Sequence, residues 1–358
     1  MSAQFHPLVI AEVRRETADA VSLRFALPDH LVEVFRFTPG QHLTLRAQID
    51  GEEVRRNYSI CTAPHENELR VAIKQIAGGR FSTWANTHLA AGQTLDVMAP
   101  HGSFTRRFSP DQSGTYAAFA GGSGITPILS LLKTGLATEE NSRFVLLYGN
   151  RASAGVMFLE EIARLKDKFM SRLQVFHFLE EEEGEIAIFN GRLDSEKVAA
   201  VLGTLVEPSE IDTAFICGPG PMMDAVESGL LSSGVPGDRI MIERFTVGAM
   251  SEAQVAAARA MEQAAAGKPV MLTIEGRRRR IAFDPAKETI LENARAAGLP
   301  APFACKAGVC ATCRAKVTKG EVRMIQNFGL SPQEVEQGYV LTCQAVPVSD
   351  EVELDYDA

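Results

Sequence analysis

Four of the six cysteines lie after residue 300, and three of those four crowd one short stretch. Cys305, Cys310 and Cys313 follow a C-x4-C-x2-C spacing, and 29 residues separate Cys313 from Cys343. Two irons need four thiolates from a compact cage. One tightly folded loop can supply three of them, and the strand-like run 339–342 can deliver the fourth. Gly308 permits the backbone excursion, and the small Ala307, Ala311 and Thr312 let amides approach the sulfurs. The spacing fits a [2Fe–2S] cluster. A four-cysteine zinc site is the bland alternative, but such sites usually show two C-x2-C pairs, and the second is missing.

Further upstream are residues suited to phosphates and flat rings. Gly121-Gly122-Ser123-Gly124-Ile125-Thr126-Pro127 follows an expected strand and opens an expected helix. Glycines there let a pyrophosphate approach free amides at a helix N-terminus. The run is not the G-x-G-x-x-G fingerprint, and alone it reads equally as a plain turn. Cys217-Gly218-Pro219-Gly220 ends another expected strand, where a cysteine could contact a nicotinamide or be a buried structural thiol. Arg56-Asn57-Tyr58-Ser59 offers a guanidinium for a diphosphate and a ring for stacking. Gly79-Arg80-Phe81-Ser82 could complete the anion site at a helix start, with Lys74 as a further contact. Singly, these also read as a strand ion pair, a core tyrosine and a cap.

These residues need scaffolds. Up to about residue 108 short runs alternate apolar and polar, at 41–45, 57–61 and 69–74, which suggests antiparallel strands in a barrel or sandwich. From about 113 to 248, expected strands at 115–120, 143–148, 173–178, 213–217 and 239–242 alternate with expected helices at 128–136, 157–166, 195–202 and 221–231. That alternation predicts a parallel α/β sheet. An alanine-rich stretch follows and reads as a linker, semi-rigid where helical, or else as a helix packed on a neighbour. Beyond it, expected strands at 270–275 and 279–283 flank a Gly276 turn, and a helix is expected at 288–297.

Composition narrows the partners. A formal net charge of −9 argues against nucleic acid, which needs a basic surface. No run reaches the roughly 20 apolar residues of a membrane helix, and the first residues lack a secretory pattern. A cytoplasmic location is expected, where clustered cysteines read as ligands rather than disulfides. His42, His88 and His101 are scattered. The acidic run 180–183 reads as a solvated loop, and Arg277 to Arg280 as a charged hairpin turn or a dock for an acidic partner.

With these residues in hand, the chain resembles the ferredoxin–NADP⁺ reductase superfamily fused to a C-terminal plant-type ferredoxin. Arg56, Tyr58 and Ser59 match its R-x-Y-S flavin motif, and Gly79 and Ser82 its second flavin-phosphate motif. Gly122 to Pro127 match its nicotinamide motif, Cys217-Gly218-Pro219 its C-G-P, and Glu243-Arg244-Phe245 its closing E-x-F. The run Cys305 to Lys316, with Gly338 to Gln344 and Leu354 to Asp357, is similar to reductase components that serve di-iron oxygenases epoxidising phenylacetyl-CoA.

The resemblance implies a multidomain fold. An antiparallel β-barrel FAD domain spans 1–110, and an α/β parallel-sheet NAD(P) domain spans 111–248. The linker occupies 249–268, and an α+β (β-grasp) ferredoxin domain 269–358. It implies Ser59, Cys217 and Glu243 at the reacting centre, with Phe245 near the flavin. Lys74 and Phe81 join the other flavin contacts. Arg151 is placed to meet a 2′-phosphate, and no acidic residue is expected there to hold a free ribose hydroxyl, which favours NADPH. Electrons would run from NADPH to FAD, to the cluster held by Cys305, Cys310, Cys313 and Cys343, and on to the oxygenase. The alternatives are service to a steroid, alkane or aromatic-ring hydroxylase, and a redox-sensing role.

Overall fold

The computed structural model describes residues 4–245 and 250–358. It divides into two compact units, one holding His6–Val54 and Tyr58–Arg244, the other built chiefly from the chain after Phe245.

The first unit opens with six strands: β1 (Phe5–Thr17), β2 (Ala20–Ala26), β3 (His42–Ile49), β4 (Glu52–Ser59), β5 (Leu69–Lys74) and β6 (Thr94–Met98). Their order is β4-β3-β6-β1-β2-β5. Ile60, just past β4, bridges Val71 of β5, so the two ends of the sheet meet and the strands close. Closure leaves no bare edge and lets Leu8, Ile10, Leu23, Leu43, Leu45 and Val71 fill the interior, each fully buried. Helix α1 (Arg80–His88) plugs the barrel with Phe81 and Ala85.

The same unit continues into a second sheet of β7 (Thr115–Gly121), β8 (Arg143–Asn150), β9 (Leu173–Leu179), β10 (Thr213–Cys217) and β11 (Ile240–Glu243), in the order β11-β10-β7-β8-β9. All neighbours are parallel. A parallel sheet is covered on both faces, which is why β7 is a nearly continuous apolar run rather than an alternating one. The covering helices are α2 (Ile125–Thr138), α3 (Leu159–Phe169), α4 (Ser195–Val201) and α5 (Gly220–Ser232). The expected strands lie where the sequence put them, but α2 begins three residues earlier, inside the Gly-rich motif. The chain leaves β7 toward one side of the sheet and returns as β10 on the other. The crevice between their C-terminal ends is where such sheets bind ligands.

The second unit starts with α6 (Glu252–Ala264), opened by a Ser251/Gln254 capping box. Residues 246–249, where the expected 248/249 boundary falls, lie outside the described residues. Within the alanine-rich stretch Ala258 and Glu262 are buried, and Ala265 belongs to the core of the sheet that follows. That sheet contains β12 (Pro269–Ile274), β13 (Arg277–Ala282), β14 (Arg314–Lys319), β16 (Tyr339–Leu341) and β18 (Val352–Asp355), ordered β13-β12-β18-β14-β16. A small pair, β15 (Val322–Met324) and β17 (Ala345–Pro347), flanks it. β12 alternates buried and half-buried residues, as a one-sided strand should. Helix α7 (Ile290–Ala296) seals the apolar face with Ile290, Leu291 and Ala294, while α8 (Pro332–Glu336) stays on the surface. The arginine run is not the turn itself. Glu275 and Gly276 form that turn, both at positive φ (52° and 70°), and all four arginines lie in β13 at the sheet edge.

Candidate functional site

The cysteine loop is shaped by three left-handed residues, Lys306 (φ 56°), Gly308 (φ 73°) and Ala311 (φ 53°). Each reverses the chain locally and turns amides inward. The amides of Ala307 and Cys310 donate to Cys305 Sγ at 3.3 and 3.4 Å, and that of Cys305 donates to Cys310 Sγ at 3.5 Å. Gly308 is required twice over, because a Cβ there would also stand 2.9 Å from Gln344 Cγ. Gly329 presses on the loop, where a Cβ would meet Val309 O at 2.5 Å.

The four thiols fall into two pairs. Cys305 stands beside Cys310, and Cys313 beside Cys343. The Cys310 thiol, followed by burial, pushes Cys305 up; Cys343, followed by burial, pushes Cys313 up; and Cys343 itself is lowered, first by Cys313. Thr342 fixes the second pair by donating both N–H (3.2 Å) and Oγ1 (2.9 Å) to Cys313 O, while Tyr356 donates to Thr342 Oγ1 at 2.9 Å. Among the described residues no three His, Cys, Asp or Glu gather as a single-ion site. Zinc needs four ligands on one centre, whereas a two-iron cluster takes two per iron. The two-plus-two grouping with inward amides fits the cluster. Thr342 and Tyr356 were not singled out from sequence, since neither is a ligand and only the fold brings them together.

In the other unit, two glycine turns pack on each other at the sheet crevice. Residues Ala120 and Cys217 are register partners on β7 and β10. A Cβ on Gly124 would lie 2.0 Å from Cys217 O, and one on Gly218 would lie 2.9 Å from Gly121 N. These glycines therefore exist for contact between backbones. Gly122 differs, because it sits at φ 51° and a Cβ there would meet nothing within 4 Å. Thr126 is buried and donates to Ser123 O (2.9 Å), closing the first turn of α2, and Pro127 follows it with no amide to leave unsatisfied.

Cys217 is fully buried, and burial, then the Glu243 carboxylate, push its thiol well up. Its thiol is thus neutral and not an activated nucleophile. Glu243 is its register partner on β11. Glu243 Oε1 also lies 3.9 Å from His42 Nδ1, and the His42 ring meets His101 edge-on at 4.3 Å. The two histidines that looked scattered are joined because their backbones form a bridge between the start of β3 and the chain after β6. No local pattern signals such a contact.

On the barrel, Ser59 is buried at the end of β4, with Tyr58 half-buried beside it, 5.6 Å from the Phe81 ring. Arg56 is exposed on the same strand. Gly79 caps α1 with no side-chain bond, and Ser82 Oγ accepts from Ile76 N at 3.2 Å. The first-turn amides of α1 are left for an anion, as a flavin phosphate site needs. Lys74 donates to Gly155 O (3.4 Å) and pairs with Asp19 (3.7 Å), so it ties the barrel to the parallel-sheet domain. Phe245 is 39% exposed.

A cleft of about 390 Å³ opens at the ends of β7 and β8, lined by Gly121, Asn150, Arg151, Glu180, Arg192 and Asp194 among others. Asn150 is 6% exposed, and both its amide atoms lack a hydrogen-bond partner. A buried amide at a cleft without a protein partner calls for a polar group beside it, water or ligand. The expectation that no acid stands near Arg151 is not met. Glu180 lines the cleft and pairs with Arg192 (2.9 Å), and Glu181 pairs with Arg151 (3.6 Å). The acidic run is not a free loop either, since Glu180 N and Glu181 N extend the β8–β9 ladder onto Asn150 O and Arg151 O.

Comparisons with known proteins agree with this geometry. Residues 7–106 match the oxidoreductase FAD-binding domain, 119–228 the oxidoreductase NAD-binding domain and 272–348 the 2Fe-2S iron-sulfur cluster binding domain. The chain is 44% identical over 355 residues to a component of the 1,2-phenylacetyl-CoA epoxidase of Escherichia coli (strain K12), covering 99% of this chain and 98% of the relative. It is 36% identical over 353 residues to the ferredoxin reductase component of 3-ketosteroid-9-alpha-monooxygenase of Rhodococcus rhodochrous, covering 98% and 96%. Phthalate dioxygenase reductase shares the fold, with a TM-score of 0.58, 23% identity and 98% of both chains covered. Among the described residues no helix is long and apolar enough to cross a membrane. The protein is an oxidoreductase whose electrons pass from NAD(P)H to FAD and then to a [2Fe–2S] centre. It belongs to the family of oxygenase reductase components, in which a ferredoxin–NADP⁺ reductase module is fused to a C-terminal plant-type ferredoxin.

Proposed function

We propose that the chain delivers electrons from NADPH to the di-iron oxygenase subunits of a phenylacetyl-CoA epoxidase, in the cytoplasm. The end-to-end 44% identity to a component of a phenylacetyl-CoA epoxidase carries this reading. The residues divide the work. Cys305, Cys310, Cys313 and Cys343 would hold the cluster. Arg56, Tyr58, Ser59, Lys74, Gly79, Phe81, Ser82 and Phe245 bind and orient the flavin. Gly122, Gly124, Thr126, Pro127, Gly218 and Pro219 shape the dinucleotide crevice, and Ser59, Cys217 and Glu243 surround the reacting atoms. When bound, the flavin takes two electrons at once and gives them up singly, which a one-electron cluster requires.

Arg151 and Arg192 supply positive charge for a 2′-phosphate, and Glu181 and Glu180 are already neutralised by them. The two guanidiniums favour NADPH, while the Glu180 carboxylate at the same cleft is the kind of group that holds a free ribose hydroxyl in an NADH site. The proposed boundaries are 1–110, 111–248, 249–268 and 269–358, and the end of α6, in the third of these segments, packs on the core of the ferredoxin sheet.

The test is reconstitution. The purified chain, a phenylacetyl-CoA oxygenase component, NADPH and phenylacetyl-CoA should give epoxide, and replacing the oxygenase with a steroid 9α-hydroxylase component should not. Coupling only to the steroid component would favour the second reading, which the 36% identity to a steroid oxygenase reductase supports.

A further inference from the structure

The flavin and dinucleotide half-sites lie on different modules, so something must fix their separation. Helix α2 carries the dinucleotide turn at its start. One to two turns further on, the same helix presents two buried polar residues, Ser130 (0% exposed) and Lys133 (5%). Both reach the short segment that follows Ser59 on the barrel. Ser130 Oγ donates to Thr62 O at 2.6 Å, and Lys133 Nζ donates to Cys61 O at 3.3 Å. Lys133 also pairs with Glu66 of the barrel (3.1 Å) and with Glu161 of α3. Cys61 is in turn fixed by its amide, which donates to Arg70 O on β5 at 3.0 Å.

We propose that Ser130 and Lys133 are positioning residues for hydride transfer, pinning the dinucleotide helix to the strand that carries Ser59. The inference rests on the function proposed above. The step it serves breaks a C–H bond on the nicotinamide and forms an N–H bond on the flavin, moving two electrons and one proton together. Transfer needs the two atoms within roughly 3–3.5 Å, and a misplacement of about 1 Å slows it about 100-fold. A hydrophobic seam alone would leave α2 free to slide, because apolar contact is not directional. Two carbonyls fixed on one side and two donors on the other define one register. Burial works against the charged form of Lys133, but Glu161 and then Glu66 outweigh it and hold its pKa above the ordinary value, so the pin stays charged. Beside it the seam opens into a polar cleft of about 410 Å³, lined by Arg14, Arg70 and Glu161 among others. A shortened side chain at 133 would leave water there, not a substitute contact.

The test uses the full, cofactor-loaded chain with Lys133→Ala, the milder Ser130→Ala in case the first does not fold, and Lys133→Arg. Three quantities are read: NADP⁺ affinity by equilibrium titration, the long-wavelength absorbance of a nicotinamide stacked on the flavin, and the anaerobic rate of flavin reduction with its deuterium isotope effect. Affinity should hold while the stacking absorbance weakens and the rate falls about 10- to 100-fold, with Lys133→Arg recovering much of both. Unchanged rate and absorbance in the alanine variants, or a loss confined to affinity, would overturn the pin. A wild-type protein whose flavin NADPH fails to reduce would overturn instead the function on which it rests.

Discussion

A single methyl group at Gly124 should uncouple the two cofactors. The Cβ of Gly124→Ala would stand 2.0 Å from Cys217 O and 2.4 Å from Cys217 C. Ordinary carbon contacts begin near 3.5 Å, so the two turns must part by roughly 1 Å or more. Both neighbours are backbone, and no side chain can rotate away. Overpacking of this kind costs about 1–3 kcal/mol, or roughly 2–12 °C in the melting temperature of a domain this large. The same opening moves the expected nicotinamide position at Cys217 away from Ser59, which should slow hydride transfer about 100-fold. Gly122→Ala is the control. It meets no atom within 4 Å and carries only the strain of φ 51°, so it should spare the melting temperature more and weaken dinucleotide binding instead. Stopped-flow flavin reduction and thermal melts of both variants decide the matter. A Gly124→Ala protein within about threefold of the wild-type rate and with an unchanged melt would refute the close-packing argument.

Burial, then Glu288, raise the pKa of Glu262 on α6, so the folded state favours its neutral form. Its contribution is therefore fully present below the unfolded value of 4.5 and is lost as pH rises through the higher folded value. Glu262→Gln should raise the melting temperature at neutral pH and lose that advantage in acid; a pH-independent effect would contradict this. The arginines of β13 line an open sheet edge, three strand steps from β14, which follows the cysteine loop. Replacing Arg277 and Arg279 with threonine should promote concentration-dependent self-association in light scattering, because charge guards bare edges. Persistent monomers with salt-sensitive loss of oxygenase coupling would favour docking instead. Arg151→Ala should raise KM for NADPH about tenfold and leave NADH little changed, by loss of a charge-assisted contact. Equal effects on both dinucleotides would argue against a 2′-phosphate role.

The parallel-sheet strands were legible because apolar runs alternating with helical patterns leave few other folds. The iron-sulfur domain was legible because the cysteine spacing is set by the cluster's own geometry. What sequence could not show is what depends on register between distant strands. His42 meets His101 and Glu243 through a backbone bridge, and Gly124 fits under Cys217 O only because β7 and β10 are neighbours. The acidic run 180–183 looked solvated because charge runs usually are. The run is indeed largely exposed, and its first residues also extend the β8–β9 ladder and meet two arginines. Lys133 was invisible for a related reason. One lysine in an apolar helix reveals nothing until its partners on another module are known.

Electrons must cross from the flavin to a cluster held by Cys305, Cys310, Cys313 and Cys343 if the chain works as a serial carrier. The most direct test of that central step is low-temperature electron paramagnetic resonance of the anaerobic protein after limiting NADPH, run beside Cys313→Ser. The wild type should show the signal of a reduced [2Fe–2S] cluster. The variant should lack it, while its flavin still bleaches and still reduces a two-electron dye. A cluster signal that survives in Cys313→Ser, or a wild-type cluster that stays oxidised beside a fully reduced flavin, would contradict the serial path.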